Sequence, residues 1–298
     1  MQVTISSGNN INGTLVLPLF EGGEALPEIV EGIPTALKSQ INRVLADGDF
    51  KAKANATMTL AGTEGGKAML VGLGKAEKAD THAYREAGAT VVASCKKVHG
   101  NELTVVFHNT DVPCMTSFAE GMMLRDYSYD LYKKKDEEET NLAARINCSE
   151  GDATALSAAI DRAASITSGV HHSRDLGNCP PNDLYPMAFA EKAEQWAKQY
   201  DNAKVEVIDY EAAKRHGMGG LVAVGMGSSR KPCMVIFTLN GDQKGQHPML
   251  VGKGITFDTG GISLKPGAGM DEMKYDMGGS ATVFGTMEAL ASSGYAGK

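Results

Sequence analysis

The chain has 298 residues, and 29 Lys and Arg against 36 Asp and Glu give it a formal net charge of −7 at pH 7. This acidic balance argues against a general nucleic-acid-binding protein, whose surface is normally basic. Hydrophobic residues make up 42% and charged residues 22% of the chain, a globular composition that excludes the disordered and fibrous classes.

Membrane and secretory signals are missing from the sequence. No apolar run approaches the roughly 18–20 residues of a membrane-spanning helix, and residues 1–10 lack the basic and apolar regions of a signal peptide. The five cysteines are odd in number and lack CxxC spacing, which favours reduced thiols over disulfides or a zinc finger. We therefore expect a cytoplasmic protein that does not bind a membrane.

The first part of the chain alternates short β-prone runs with helix-like stretches, which predicts an α/β domain. Four apolar runs predict strands: residues 15–19, 58–61, 69–71 and 103–107. A helix is predicted before the last of these strands, because small and apolar residues recur there with helical spacing on one face. These residues are Ala83, Ala87, Val91, Cys95 and Val98.

A charged block at residues 133–140 separates the two halves of the chain. Three lysines are followed by four acidic residues with no apolar periodicity, which is typical of a solvated connector. We place a domain boundary nearby, with an amino-terminal α/β domain at residues 1–150 and a second domain at residues 151–298. The alternative interpretation is a charged surface turn inside one domain.

The second part is also predicted to be α/β, with a covered sheet that is mostly parallel or mixed. Helices are expected at residues 153–170, from Pro186 to about residue 200, and at residues 211–216 before Gly217. Prolines predict an irregular segment at residues 174–186. Strands are expected at residues 205–208, 221–224, 234–239 and 249–251.

Chemically useful side chains are concentrated after residue 250. A predicted buried strand leads into a glycine-rich turn that carries Lys253, Asp258 and Lys265, and Asp276 precedes a predicted helix. Carboxylates bind divalent cations, and two such ions can share one carboxylate. A lysine beside them is either a neutral metal ligand or a cation that polarises a carbonyl.

Each of these residues also has an ordinary structural explanation. Asp276 stands where a helix N-cap would stand, and Asp258 before Thr-Gly-Gly could stabilise a turn. Lys253 and Lys265 could be solvated side chains. The four residues together favour a site over four separate explanations.

Two ungapped stretches closely resemble the metal-dependent leucyl aminopeptidases, also called cytosol aminopeptidases. The first is Lys-Gly-Ile-Thr-Phe-Asp-Thr-Gly-Gly-Ile-Ser-Leu-Lys-Pro from Lys253, and the second is Met-Asp-Glu-Met-Lys-Tyr-Asp-Met-Gly-Gly from Met270. Weaker similarity to the family lies at residues 119–132 and 174–182. The resemblance covers most of the chain and is strong only in its last fifty residues.

The resemblance implies roles for five residues. Lys253, Asp258 and Asp276 match ligands of two divalent metal ions, with Asp258 bridging them. The ions would be zinc or manganese, although such a site also accepts magnesium or cobalt. Lys265 matches a catalytic lysine that polarises the scissile carbonyl. Met273 matches a residue lining the substrate side-chain pocket, and its alternative role is core filler.

The resemblance also implies an activity and an assembly. Peptides would lose amino-terminal residues, with leucine-like ones preferred, through attack by a metal-activated water, and full-length members would form homohexamers. A second family motif, roughly Asn-Thr-Asp-Ala-Glu-Gly-Arg, is not found before Lys298. We therefore expect an incomplete aminopeptidase that is inactive alone.

Three competing interpretations remain. Asp258-Thr-Gly fits the signature of aspartic proteases, but those enzymes are mostly β and pair two such motifs. Glycine turns at residues 65–67, 71–74 and 224–227 match no full nucleotide-binding motif. A non-catalytic DNA-binding or structural relative of the same family is a further alternative, although nucleic acid is a disfavoured partner for an acidic chain.

Overall fold

The chain folds as two compact units. The computed structural model describes residues 1–6, 11–22, 33–62, 65–95, 102–108, 110–134, 142–242, 244 and 247–297. The units are Met1–Ala164 and Ser165–Lys298, and the division lies within a long helix. The domain boundary near residue 150 stays a prediction, and most of the predicted connector lies outside the described residues.

Unit 1 is built on a six-stranded sheet with the strand order β1-β6-β5-β2-β4-β3. All neighbouring strands are parallel except β3, which runs antiparallel to β4. The strands are β1 Gln2–Ser6, β2 Thr14–Phe20, β3 Thr57–Ala61, β4 Lys67–Gly74, β5 Glu102–Val106 and β6 Ala143–Asn147. The four predicted strands are confirmed as β2 to β5.

Helices cover both faces of this sheet. They are α1 Thr35–Ala46, α2 Thr81–Cys95, α3 Val112–Arg125 and the first part of α4 Glu150–Asn178, with a 3-10 turn at Ala76–Lys78. Along β2, Leu15 and Leu17 pack with α1, whereas Val16 packs with α2 and α3 on the other face. This double burial explains the continuous apolar run of β2. The predicted helix is confirmed as α2, and Val98 lies outside the described residues.

Helices α2 and α3 touch through their backbones at two glycines. A Cβ atom added at Gly88 would overlap the carbonyl oxygen of Phe118, and one added at Gly121 would overlap that of Arg85. Glycine is required at both positions because a main-chain oxygen cannot yield without moving its helix.

Unit 2 contains the second part of α4 and a small two-stranded sheet. Its further elements are α5 Pro186–Ala197, β7 Ala203–Ile208, α6 Tyr210–Arg215, α7 Gly219–Gly225, β8 Met234–Leu239, a 3-10 helix at Met270–Met277 and α8 Gly278–Ser292. Strands β7 and β8 are antiparallel. The α/β class is confirmed for the chain, and its mixed, mostly parallel sheet is that of unit 1, whereas the sheet of unit 2 is an antiparallel pair among the described residues. Among the described residues, no helix is both long and apolar enough to cross a bilayer.

Three local predictions in unit 2 are wrong. Residues 221–224 lie in α7 rather than in a strand, because a four-residue apolar run does not distinguish helix from strand. Residues 249–251 form no strand and are exposed. Residues 174–178 were predicted to be irregular but are helical. A proline disfavours the helical conformation of the residue directly before it, so the prolines at 180 and 181 do not affect residues 174–178.

The core of unit 2 is an aromatic cluster around Phe284 of α8. This ring is fully buried, and its centroid lies 4.7 Å from that of Phe237, 5.6 Å from that of Trp196 and 4.3 Å from that of His172. The cluster holds α8 against α4, α5 and β8. It thereby fixes the first turn of α8, which borders the predicted site.

A carboxylate on α8 adds polar contacts to this packing. The carboxylate of Glu288 accepts hydrogen bonds from Trp196 Nε1 at 2.7 Å, Tyr200 Oη at 3.0 Å and Ser168 Oγ at 3.0 Å. Burial, together with the hydrogen bond to Glu288, raises the pKa of Tyr200 to about 12. These hydrogen bonds connect helix α8 to α4, to α5 and to the turn that follows α5.

The Gly121→Ala variant tests the backbone contact between α2 and α3. We expect it to lower the free energy of unfolding by about 1–3 kcal/mol, because the added methyl group forces the two helices apart. Urea denaturation followed by far-UV circular dichroism measures the change. Gly151→Ala is the control, since its Cβ would meet only Ser149 Oγ at 3.8 Å. A control loss as large as that of Gly121→Ala would contradict this account.

We expect His172 to make the stability of unit 2 depend on pH. Burial lowers the pKa of His172, although Glu288 and Asp175 oppose the shift, while Lys192 adds to it. Because the unfolded chain binds the proton more readily, stability should be full above the ordinary pKa of about 6.5 and should fall below it. Unfolding free energies at pH 7.5 and pH 5 should therefore differ less for His172→Gln than for the unsubstituted chain. Exposed His216→Gln serves as the control, and an equal pH dependence in His172→Gln would contradict the assignment.

Candidate functional site

Lys253, the first of the predicted site residues, lies beside the first turn of α8. The backbone amide of Ser280 donates to the carbonyl oxygen of Lys253 at 2.8 Å. A Cβ atom added at Gly252 would overlap the carbonyl oxygen of Gly279, and one added at Gly279 would lie 2.8 Å from the amide nitrogen of Lys253. The small residues on both sides therefore bring Lys253 to the end of the helix.

Lys253 and Asp276 form the first ion pair of the site. Lys253 Nζ lies 2.7 Å from Asp276 Oδ1, and the Asp276 side chain is 21% exposed. Asp276 Oδ2 is buried and has no hydrogen-bond partner among the described residues. The N-cap position of α8 belongs to Met277, so the capping explanation for Asp276 is wrong.

Asp258 and Lys265 form the second ion pair, across a tight loop. Asp258 Oδ2 lies 3.2 Å from Lys265 Nζ, and Asp258 Oδ1 accepts the Gly260 amide at 2.8 Å. Gly260 has a φ of 90°, and a Cβ atom there would overlap the carbonyl oxygen of Ser263. Asp258 therefore both stabilises its turn and faces a lysine.

The electrostatics of Asp258 connect the two pairs. The Gly260 amide, followed by the hydrogen bond and the charge of Lys265, holds the pKa of Asp258 below its ordinary value. The charge of Lys253 also lowers that pKa. The bridging role implied for Asp258 stays a prediction.

Met273 lies beside Lys265. Lys265 Nζ donates to Met273 Sδ at 3.0 Å, and the half-buried Met273 belongs to the 3-10 helix that also carries Asp276. Contacts therefore join Lys253 to Asp276 and join Lys265 to Asp258 and Met273, and the 3-10 helix links the two groups. Their individual chemical roles stay predictions.

The side chains present offer part of a metal-binding set. The unpartnered, buried Asp276 Oδ2 is a suitable cation ligand, and Asp258 adds a second carboxylate. Lys253 Nζ is a further donor once it has lost its proton. Within the described ranges, no three His, Cys, Asp or Glu side chains come together as a metal cluster.

Two contacts that fix the 3-10 helix are additional to the predicted set. Tyr275 Oη donates to Asn178 Oδ1 at 2.9 Å, and the Tyr275 ring lies 3.4 Å from the position of a Cβ atom built on Gly177. These contacts attach the segment carrying Met273 and Asp276 to the end of α4. The only sequence signal for them was the weak family similarity at residues 174–182.

Family models match both halves of the chain. One described as "Cytosol aminopeptidase family, N-terminal domain" matches residues 16–136. Another described as "Cytosol aminopeptidase family, catalytic domain" matches residues 171–296 and includes all five site residues.

Curated relatives agree with these matches. A probable cytosol aminopeptidase of Stutzerimonas stutzeri is 38% identical over 288 residues, and the cytosol aminopeptidase of Pseudomonas aeruginosa is 37% identical over 288 residues. Each comparison covers 93% of this chain and 58% of the relative. The chain therefore spans about 58% of the length of these relatives.

Solved structures share the fold. A bottromycin maturation enzyme in complex with Mn has a TM-score of 0.73 and 27% identity, covering 94% of this chain and 56% of that one. A tomato leucine aminopeptidase mutant has a TM-score of 0.78 and 24% identity, covering 98% of this chain and 59% of that one. The second likeness concerns the fold alone.

The pairing of Asp258 with Lys265 can be tested by carboxyl carbon NMR in the presence of a chelator. We expect the Asp258 signal to titrate below the ordinary value of 3.8 and to move towards that value in Lys265→Met, because one hydrogen bond and one charge are removed. Lys204→Met, on the exposed side of β7, is the control. An Asp258 titration that Lys265→Met leaves unchanged would contradict the pairing.

Proposed function

We propose that this chain, which belongs to the cytosol aminopeptidase family, carries the amino-terminal domain and a metal-binding part of the catalytic domain of an aminopeptidase. The substrates would be peptides, from which amino-terminal residues, preferably leucine-like ones, are released. Two ion pairs, Lys253–Asp276 and Asp258–Lys265, are the observation that carries the proposal. The 3-10 helix links them, because it carries Asp276 and also Met273, which contacts Lys265.

Lys253, Asp258 and Asp276 are the proposed ligands of two divalent metal ions. Zinc or manganese fits carboxylate and amine donors, with magnesium or cobalt as further candidates, and the Mn-bound structural relative supports manganese. When bound, such ions supply Lewis acidity and an activated water. The orphan Asp276 Oδ2 supports this assignment because a buried carboxylate oxygen without a partner is costly unless a ligand satisfies it.

Lys265 is the proposed catalytic residue. Its ammonium group can donate a hydrogen bond to the scissile carbonyl and stabilise the negative charge that develops on that oxygen. Asp258 and Met273 hold this ammonium group in place at 3.2 Å and 3.0 Å. Met273, next to it, would contact the first side chain of the substrate through its polarisable thioether.

The competing chemical interpretations have less support. An aspartic protease pairs two aspartates around one water, whereas Asp258 faces Lys265, and the fold is α/β rather than mostly β. A non-catalytic DNA-binding or structural role is not favoured, since the curated relatives are named as aminopeptidases. Assembly as a homohexamer and location in the cytoplasm remain parts of the proposal.

The 298-residue chain alone is proposed to be inactive. A zinc ion in proteins usually takes four ligands, so two ions need more donors than Lys253, Asp258 and Asp276 provide. The relatives are longer than the region that this chain spans. We therefore assign activity to the site only when further ligands of the catalytic domain are supplied.

A chimera tests the proposed function. In it, the 298 residues replace the matched part of the Pseudomonas aeruginosa relative, and release of leucine from a leucyl peptide is measured with added manganese or zinc. We expect the chimera to turn over and the chain alone to show no turnover. Lys265→Met should lower kcat of the chimera by about 100- to 1,000-fold, because stabilisation of the oxyanion is lost.

Lys204→Met in the same chimera is the matched control and should keep kcat within about twofold, as expected for an exposed lysine. Two results would contradict the proposal. One is a chain that alone turns over at a rate near that of the full-length relative. The other is a folded chimera whose kcat is the same with Lys265 as with methionine at that position.

A further inference from the structure

The 3-10 helix that carries Asp276 needs support from outside its own backbone. It spans eight residues, Met270–Met277. Helices of this type rarely exceed about three or four residues, because their hydrogen bonds are poorly aligned. The position of the Asp276 carboxylate therefore depends on the contacts that the 3-10 helix makes with its neighbours.

Tyr275, the residue directly before Asp276, makes such a contact with the end of α4. Its hydroxyl donates to Asn178 Oδ1 at 2.9 Å, and its ring lies 3.4 Å from the position of a Cβ atom built on Gly177. Tyr275 is nevertheless 48% exposed, so burial of the ring alone does not hold the side chain. A hydrogen bond that competes with water adds little to stability but still fixes a direction. The contact with Asn178 therefore orients Tyr275 more than it stabilises the fold.

A second contact with α4 lies on the other side of Asp276. Ser173 Oγ donates to the carbonyl oxygen of Ala281 at 2.9 Å. A Cβ atom added at Gly169 would overlap the carbonyl oxygen of Gly285, so α4 and α8 approach closely there. Asp276 therefore lies on a segment that α4 holds at one point before this residue and at another point after it.

The two carboxylate oxygens of Asp276 are restrained differently. Oδ1 contacts Lys253 Nζ at 2.7 Å, whereas the buried Oδ2 has no hydrogen-bond partner among the described residues. Lys253 therefore restrains one oxygen, and the direction of the other depends on the backbone of the 3-10 helix. Residues that orient a ligating side chain without touching the metal ion change metal affinity by about 10- to 100-fold.

We propose that Tyr275, anchored by Asn178, is a positioning residue that holds the Asp276 carboxylate in the direction required to bind a divalent cation. The proposal rests on the metal ligands assigned under the proposed function and adds a residue outside that ligand set. Loss of the Tyr275 hydroxyl would release the last turn of the 3-10 helix from α4 and leave Lys253, Asp258 and Asp276 in the chain.

Zinc binding to the 298-residue chain tests this role without measuring peptidase activity. Affinity is determined by competition with a chromogenic zinc chelator for the unsubstituted chain, Tyr275→Phe and Asp276→Asn. We expect Tyr275→Phe to bind zinc about tenfold more weakly, because the carboxylate is no longer held in place, and Asp276→Asn to bind more weakly still. Tyr210→Phe, which removes a hydroxyl from α6, is the matched control and should bind zinc as the unsubstituted chain does.

A double-mutant cycle tests whether Tyr275 acts through Asn178. Asn178→Ala should weaken zinc binding at least as much as Tyr275→Phe does. The double variant should bind zinc no more weakly than Asn178→Ala alone, because both substitutions remove the same hydrogen bond. Losses that multiply in the double variant would show that the two residues act independently and would overturn the proposed role.

Cobalt(II) binding separates positioning from general loosening of the fold. The visible absorption of cobalt(II) depends on the geometry of its ligands, so at saturating cobalt the spectrum of Tyr275→Phe should differ from that of the unsubstituted chain. The urea midpoint of the metal-free variant should stay close to that of the unsubstituted chain, because the lost hydrogen bond is exposed. An unchanged cobalt spectrum together with a lowered urea midpoint would assign Tyr275 a merely structural role and contradict the proposal.

The outcomes distinguish failure of the positioning role from failure of the proposed function. Zinc binding that Asp276→Asn weakens and Tyr275→Phe leaves unchanged would overturn the positioning role alone. An unsubstituted chain that binds no zinc, or zinc binding that Asp276→Asn leaves unchanged, would contradict the metal ligands of the proposed function and the positioning role with them.

Discussion

The candidate site depends on the close approach of the Lys253 backbone to the first turn of α8. Glycines at 252 and 279 remove the Cβ atoms that would keep the two segments apart, and the Ser280 amide then reaches the Lys253 carbonyl. Asp276 is the second-last residue of the 3-10 helix that precedes this turn, and its carboxylate contacts the lysine side chain. The aromatic cluster around Phe284 and the contacts of Glu288 keep α8 in the position that makes this possible.

The charged side chains of the site form two lysine–aspartate ion pairs. Each lysine faces one aspartate, so the proposed metal ligands and the proposed catalytic lysine hold one another in place. Among the described residues, Asp276 also keeps one buried oxygen without a partner. A dication bound at that oxygen would favour the neutral amine of Lys253.

Secondary structure could be predicted from the sequence where a local residue pattern determines it. The predictions were wrong where contacts between distant parts of the chain determine the structure. Strands β2, β4 and β5 were predictable because their apolar runs are buried, and the edge strand β3 because it contains an apolar run although it is mostly exposed. The edge strand β1 and its neighbour β6 carry mixed polar patterns. Residues 249–251 look like a buried strand but are exposed, because burial requires a neighbour and not only an apolar run. The four charged site residues followed from spacing and family resemblance, but the attachment of Tyr275 to Asn178 could not, since 97 positions separate the two residues.

The most direct test of the account is the position of a bound metal ion. Anomalous diffraction at the zinc edge, from crystals of the chimera grown with zinc, locates the ion independently of activity. We predict an anomalous peak within about 2.0–2.2 Å of a carboxylate oxygen of Asp276 or Asp258, with Lys253 Nζ also bound to the ion. A folded chimera whose only zinc peaks lie away from all three side chains would contradict it.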